Sequence, residues 1–142
     1  MGPSLNNQGA QMVAVLSLGA ILQFPLLLKQ GTDITIALTV VDAAGDAITN
    51  PTGWTARAQI RAFPGGPVLF EWNTTPGGGI GTAVLSYSSL TQTSTLTLTV
   101  TRAESLLFTW GSAVWDCYLF NPAGLAACVV EGTVAIDPNI TQ

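Results

Sequence analysis

Histidine is absent from all 142 residues. That removes the side chain that most often acts as a general base near neutral pH, the commonest metal ligand, and every histidine-dependent triad. Charge of either sign is also scarce: charged residues make up 8% of the chain, against roughly a quarter in an ordinary soluble domain. Only Lys29, Arg57, Arg61 and Arg102 are basic, against eight acidic residues. So few cations cannot neutralise a run of phosphates, which argues against a nucleic-acid partner. They also supply no polybasic patch for an anionic membrane. Cys117 and Cys128 are the only cysteines, too few for a disulfide framework or a four-thiolate zinc site. No catalytic residue, cofactor or metal site is expected.

What is abundant is apolar and hydroxylated. Hydrophobic residues make up 48% of the chain, so the exterior must be covered by Thr, Ser, Gln, Asn and Gly. A lone protomer with so few surface charges is poorly defended against self-association. The composition reads as that of a protein packed against neighbours, as a homo-oligomer or in many copies within an assembly.

Residues 1–23 differ from the rest. An apolar run over residues 12–22 is broken only by Ser17 and Gly19. A secretory signal starts with a positively charged stretch, and no Lys or Arg precedes this run. Gln23 and Pro25 interrupt it too early for a membrane-spanning helix of ~20 apolar residues. The expectation is an extended apolar arm over residues 1–23. Its Met12, Val13, Val15, Leu16, Leu18, Ile21 and Leu22 would pack on a neighbouring subunit or add a strand to it. A domain over residues 24–142 would follow, with a first strand near Phe24 to Leu28 and Pro25 at an edge, where its missing N–H costs nothing.

Beyond Thr32 the pattern has period two, as half-buried strands require. Ile34, Ile36, Leu38 and Val40 alternate with Thr35, Ala37 and Thr39. The same alternation places Trp54, Ala56, Ala58 and Ile60 on one face of their strand, and Val68, Phe70 and Trp72 on one face of the next. It recurs at Ala83, Leu85 and Tyr87, and at Leu96, Leu98 and Val100. Turn residues bound each run, notably Asp42 to Asp46 and Phe63-Pro64-Gly65-Gly66-Pro67. Thr101 and Glu104 have the spacing of a capping box, which predicts one short helix. The fold class expected is all-β: an immunoglobulin-like antiparallel sandwich of about seven or eight strands with one short helix and an extended N-terminal arm.

The last hairpin turns at Asn121-Pro122-Ala123-Gly124, a sequence suited to a type I turn. If Asn121 faces Gly124, Cys117 stands opposite Cys128; a one-residue bulge at Gly124 places them on opposite faces instead. Patterning favours the first register. It groups Trp115, Cys117 and Leu119 with Cys128, Val130, Val134 and Ile136 inside, and sends Asp116 and Glu131 outward. A cross-strand disulfide would be strained there, so the pair is read as reduced thiols acting as small hydrophobes.

Asp33, Asp42 and Asp46 lack the spacing of a calcium loop and read as turn residues bonding the local backbone. Gly77 to Gly81 lacks the Lys and the following helix of a phosphate loop. Arg57 and Arg61 form the only cationic stripe, suited to a neighbour's carboxylates or to plain solvation. Trp54, Trp72 and Trp115 are in phase with the core, and Trp110 is the tryptophan expected at the surface.

Gln30-Gly31-Thr32-Asp33, the alternating strand after it, Asp42 to Asp46, Gly53 to Arg61 and Glu131-Gly132-Thr133-Val134 resemble small immunoglobulin-like accessory proteins of tailed bacteriophages. They also resemble the N-terminal domain of phage baseplate upper proteins. The resemblance covers residues 29–138. It implies a non-enzymatic virion component assembled in the bacterial cytoplasm, with capsid, tail or baseplate subunits as partners. It carries over no catalytic residue. A baseplate or tail-fibre attachment module and a capsid decoration (cement) protein both fit. The alternative is a module for host-surface carbohydrate, on a phage tail or a secreted bacterial adhesin, using the Gly-rich loops and Trp110.

Overall fold

The computed structural model describes residues 15–75 and 81–138. Strands form where branched residues alternate, because their side chains pack well on a pleated surface. In β8 (Thr93–Val100), Ser94, Leu96, Leu98 and Val100 point inward and are fully buried, while the intervening threonines point outward. β4 (Ile34–Val41) pairs antiparallel with β8 in unbroken register, and β7 (Gly81–Ser88) takes the opposite edge. β5 (Thr55–Arg61) buries Ala56, Ala58 and Ile60 and lies between β6 (Val68–Asn73) and β9 (Ser112–Phe120). β10 (Ala126–Asp137) pairs antiparallel with β9.

Three short N-terminal pieces complete the sheet: β1 (Val15–Ser17), β2 (Leu22–Gln23) and β3 (Leu26–Lys29). The strand order is β1-β4-β8-β7-β6-β5-β9-β10-β2, with β3 also on β10. Two layers result, β1-β4-β8-β7 and β6-β5-β9-β10 with β2 and β3, a sandwich-like all-β arrangement within one continuous sheet. They join where β6 and β7 meet in parallel at Trp72↔Gly81 and Asn73↔Thr82, which nearly closes a barrel. Among the described residues ten strands form, against the seven or eight expected. The extra ones arise because the N-terminal stretch is cut at Gly19 and again at Pro25, which has no N–H to give a ladder.

Residues 15–23 of the expected arm therefore run inside this sheet. β1 lies parallel to β4, with Leu16 at 0% exposure in the chain's own core. The chain then reverses at Ser17–Ala20, crosses to the other layer, and runs parallel to β10 as β2 and β3. Where β2 gives way to β3, the Phe24 N–H donates to the Glu131 carbonyl and the Phe24 carbonyl accepts from the Trp115 indole, both at 2.9 Å. Gly132 lies beneath this crossing and has no side chain to obstruct it.

An aromatic cluster fills the core between the layers. Phe70 meets Trp72 edge-on at 5.1 Å, and Trp72 meets Trp115 at 6.3 Å. Such pairs are worth about 0.5–1.5 kcal/mol beyond their burial. At one end α1 (Arg102–Ser105) plugs the core with the expected capping box: Thr101 Oγ1 accepts from the Glu104 N–H, and Glu104 accepts from the Thr101 N–H. Asp33 accepts from the Arg102 N–H at 2.7 Å. The buried Ser105 hydroxyl accepts from the N–H groups of Gly31 and Thr32 and ties this plug to the loop before β4.

The cysteine register expected from patterning is corrected. The turn at Asn121 is of the type I form, but Gly124 has φ +88° and inserts a bulge, so Asn121 faces Leu125. Cys128 then pairs with Tyr118 on the outer face. A second bulge, at Val129, puts Cys117 opposite Val130 and buries both Val129 and Val130. Cys117 lies in the core, Cys128 is half-buried outside it, and both are free thiols. Val130 and Val134 do face inward, and Asp116 and Glu131 do face outward, as expected.

Candidate interaction surfaces

The two outer faces of the sandwich differ chemically. β1, β4, β7 and β8 contain no charged residue. Their outward positions fall in cross-strand rows: Thr35, Thr99 and Thr82; Ala37, Thr97 and Val84; Val15, Thr39, Thr95 and Ser86. This hydroxyl-rich, charge-free face follows from the Thr alternation, since every second residue of β8 is threonine. A neighbour can cover it without desolvating an ion, the costly step in burying charged surface.

The opposite face gathers the polar and charged side chains of β5, β6, β9 and β10. Arg61 donates through Nη2 to Gln59 Oε1 at 2.7 Å and through Nη1 to the Gly66 carbonyl at 2.6 Å. Gln59 Nε2 donates to Glu71 Oε1 at 2.7 Å, and Asn73 donates to the other Glu71 oxygen at 3.2 Å. The Arg57 guanidinium sits over the Phe120 ring, 5.7 Å from its centre. The expected cationic stripe thus exists, with its guanidinium groups engaged within the chain.

A groove of about 670 Å³ crosses β9 and β10 on this face. One wall is the Phe24-Pro25 crossing and the other is the Pro64-Gly65 turn; Val114 and Gly132 are in its lining, with Asp116 and Glu131 beside them. Asp116 and Glu131 are directly opposite in the ladder. Glu131 accepts from Gln23 Nε2 at 2.8 Å. The Asp116 carboxyl is held above its ordinary pKa chiefly by partial burial; Arg61 opposes this, Glu131 adds to the rise, and Arg57 opposes it. Sequence reasoning placed both acids outward but missed the groove, because its walls come from segments distant in the chain.

The arm residues expected to make contacts are distributed unevenly. Met12 and Val13 lie outside the described residues. Val15 and Ile21 are exposed at 46% and 51%, Leu18 and Leu22 are half-buried against the core, and Leu16 is withdrawn from the surface. Trp110 is half-buried and packs on Phe108 at 5.3 Å, so its ring does not stand free. Leu27, on the outward side of β3, is 72% exposed and was not singled out in the segment read as the first strand. Cys117 and Cys128 form no joint site, since they lie on opposite faces of the hairpin.

Of the aspartates read as turn residues, Asp42 bonds the local backbone, its Oδ1 accepting from the N–H groups of Ala44 and Asp46, whereas Asp33 accepts instead from the distant Arg102 N–H at the start of α1. The Gly-rich loop at residues 76–80 lies outside the described residues. No group of three or more Cys, Asp or Glu side chains converges as a metal site among the described residues.

The architecture has a counterpart among solved structures. The chain is similar in fold to the N-terminal domain of phage TP901-1 ORF48. The likeness covers 87% of this chain and 94% of that domain, with a TM-score of 0.50 and 13% sequence identity. No protein-family model and no curated protein matches the sequence. The shared feature is therefore the fold, extending over nearly the whole of both domains.

Proposed function

We propose that this chain is a non-enzymatic structural component of a tailed-bacteriophage virion that acts through protein–protein contacts. The observation that carries this reading is the near end-to-end likeness of fold to a phage protein domain. The physical character of the surface supports it. One whole sheet face is free of charge, and the exposed Val15, Ile21 and Leu27 lie on the short N-terminal strands and the turn between them. Such surface is costly to leave in water and is suited to cover by neighbouring subunits. The tail or baseplate is the preferred location, because the resemblance includes the N-terminal domain of phage baseplate upper proteins.

Mass spectrometry of purified particles, quantified against the major capsid protein, tests this. A few to a few tens of copies per particle is the expected result. Hundreds of copies would move the protein to the capsid surface as a decoration protein. Absence from washed particles would refute the virion role. Val15→Ser and Ile21→Ser, which alter exposed positions only, are expected to lower incorporation while leaving the free chain folded.

A further inference from the structure

We infer that the open edge of β4 is a docking site for residues 10–14 of the same chain, which continue β1 along it. β1 covers only the far end of β4, where Val15, Leu16 and Ser17 stand beside Thr39, Val40 and Val41. Residues 34–38 have β8 on one side and, among the described residues, no strand on the other. The Leu18 N–H donates to the Val41 carbonyl, so the odd-numbered residues of β4 turn their backbone groups toward this edge. The N–H and C=O groups of Thr35 and Ala37 are presented there in a row.

Such a row is a template for another strand, and proteins ordinarily guard it with charge, proline or a bulge. β4 has none of these along its pairing with β8. Ile34 and Ile36, on its inward side, pack on the core but are only half-buried. An apolar strand laid along the edge satisfies the backbone and completes the cover of both side chains.

The register of β1 selects the occupant. Continued toward the N-terminus, it sets Ala14 beside Leu38, Val13 beside Ala37, Met12 beside Ile36, Gln11 beside Thr35 and Ala10 beside Ile34. Leu16 is fully buried, and Met12 and Ala14 share its side of the strand, which brings Met12 to the half-buried Ile36. Gln11 and Val13 fall on the outward side with Val15, against the exposed Thr35 and Ala37. A slip of one residue would send Gln11 inward. The apolar stretch also ends where the edge does, since Asn6-Asn7-Gln8-Gly9 fall beyond the start of β4. Residue 14 is joined directly to β1, so the segment is held at the edge at a high effective concentration that a second copy lacks. This seating does not depend on the virion role. It assigns Met12 to the chain's own core and leaves Val13 beside Val15 on the outward face.

Amide hydrogen exchange of the full-length protein, followed by NMR, tests the docking. In the continued ladder the Ala37 N–H donates to the Met12 carbonyl and the Met12 N–H donates to the Thr35 carbonyl. Met12→Pro is expected to speed exchange at Ala37 by about tenfold, the loss of roughly one net hydrogen bond, while the β8 amides stay protected. Val13→Pro removes an N–H that points away from β4 and should leave Ala37 protected. If Met12→Pro does not fold, Met12→Asp, which puts a charge on the inward side, carries the same expectation. Protection at Ala37 should be unchanged on about tenfold dilution of the protein. Fast exchange at Ala37 in the unaltered chain, or equal protection in the folded Met12 variant, would overturn the assignment. So would loss of protection in a folded Val13→Pro, or protection that falls on dilution, as a strand from a second copy would give.

Discussion

Replacing Gly132 by alanine tests how the N-terminal segment is seated on the sandwich. An added Cβ would lie 2.4 Å from the Phe24 carbonyl oxygen and 2.8 Å from its carbon, whereas ordinary contact begins near 3.4 Å. The crossing between β2 and β3 must then retreat by about 1 Å, which is enough to break hydrogen bonds of ordinary length. Two are at stake: Trp115 Nε1 to Phe24 O, and Phe24 N to Glu131 O, each 2.9 Å. Trp115 is buried, so its orphaned indole N–H costs about 1–3 kcal/mol, and the second bond contributes about 1 kcal/mol. Removing a glycine from a strand returns about 0.5–1 kcal/mol. The net expectation is a loss of about 2–3 kcal/mol. Urea unfolding followed by tryptophan fluorescence should show the midpoint falling by about 1–2 M, given a slope of about 1–3 kcal/mol per M. Trp115→Phe removes the N–H without moving the chain and should cost less. The two changes combined should be less than additive, because they remove the same bond. An unchanged or raised midpoint for Gly132→Ala would refute the reasoning, since alanine at an unobstructed strand position stabilises.

Ser105→Ala strips the acceptor from the N–H groups of Gly31 and Thr32 and should lower stability by about 2 kcal/mol, read as a fall in melting temperature of about 5–10 °C. Thr101→Ala removes only the solvent-side cap of the same short helix and should cost about 1 kcal/mol. Burial first, then the neighbouring Cys128 and Asp116, push the Cys117 thiol up to about 12. Iodoacetamide near pH 8 should therefore label Cys128 and spare Cys117 in the folded protein, as peptide mass spectrometry would show; equal labelling would contradict the register. The same shift makes stability depend on pH. The contribution of Cys117 is complete below its ordinary value near 9 and declines as pH rises from there toward 12, because only the unfolded chain then releases the proton. Cys117→Ala should flatten that decline in denaturant titrations across this window.

Local chemistry alone determined much of this protein. The Thr and aliphatic alternation of residues 34–40 and 94–100 requires half-buried strands, because side chains two apart share a face. The capping pair Thr101 and Glu104 requires a helix start between the last strands. The absence of histidine and the scarcity of charge narrow the chemistry before any fold is known. The charge-free face of β1, β4, β7 and β8 was likewise legible, since it is the polar half of the same alternation. Tertiary structure decided the rest. Leu16 looked like an arm residue because a sequence shows that a segment is apolar, not whose core it fills; a parallel pairing with β4 brings it home. The cysteine register turned on Gly124 and Val129, where one extra residue at a bulge reverses which face a side chain takes. The groove could not be read from the chain at all. Asp116 and Glu131 were visibly outward, but their walls come from Phe24 and Pro64, far away in sequence, and are set in place only when Gly132 lets the N-terminal segment cross above it. Period and propensity act over a few residues, whereas concavity is a property of segments that meet only on folding.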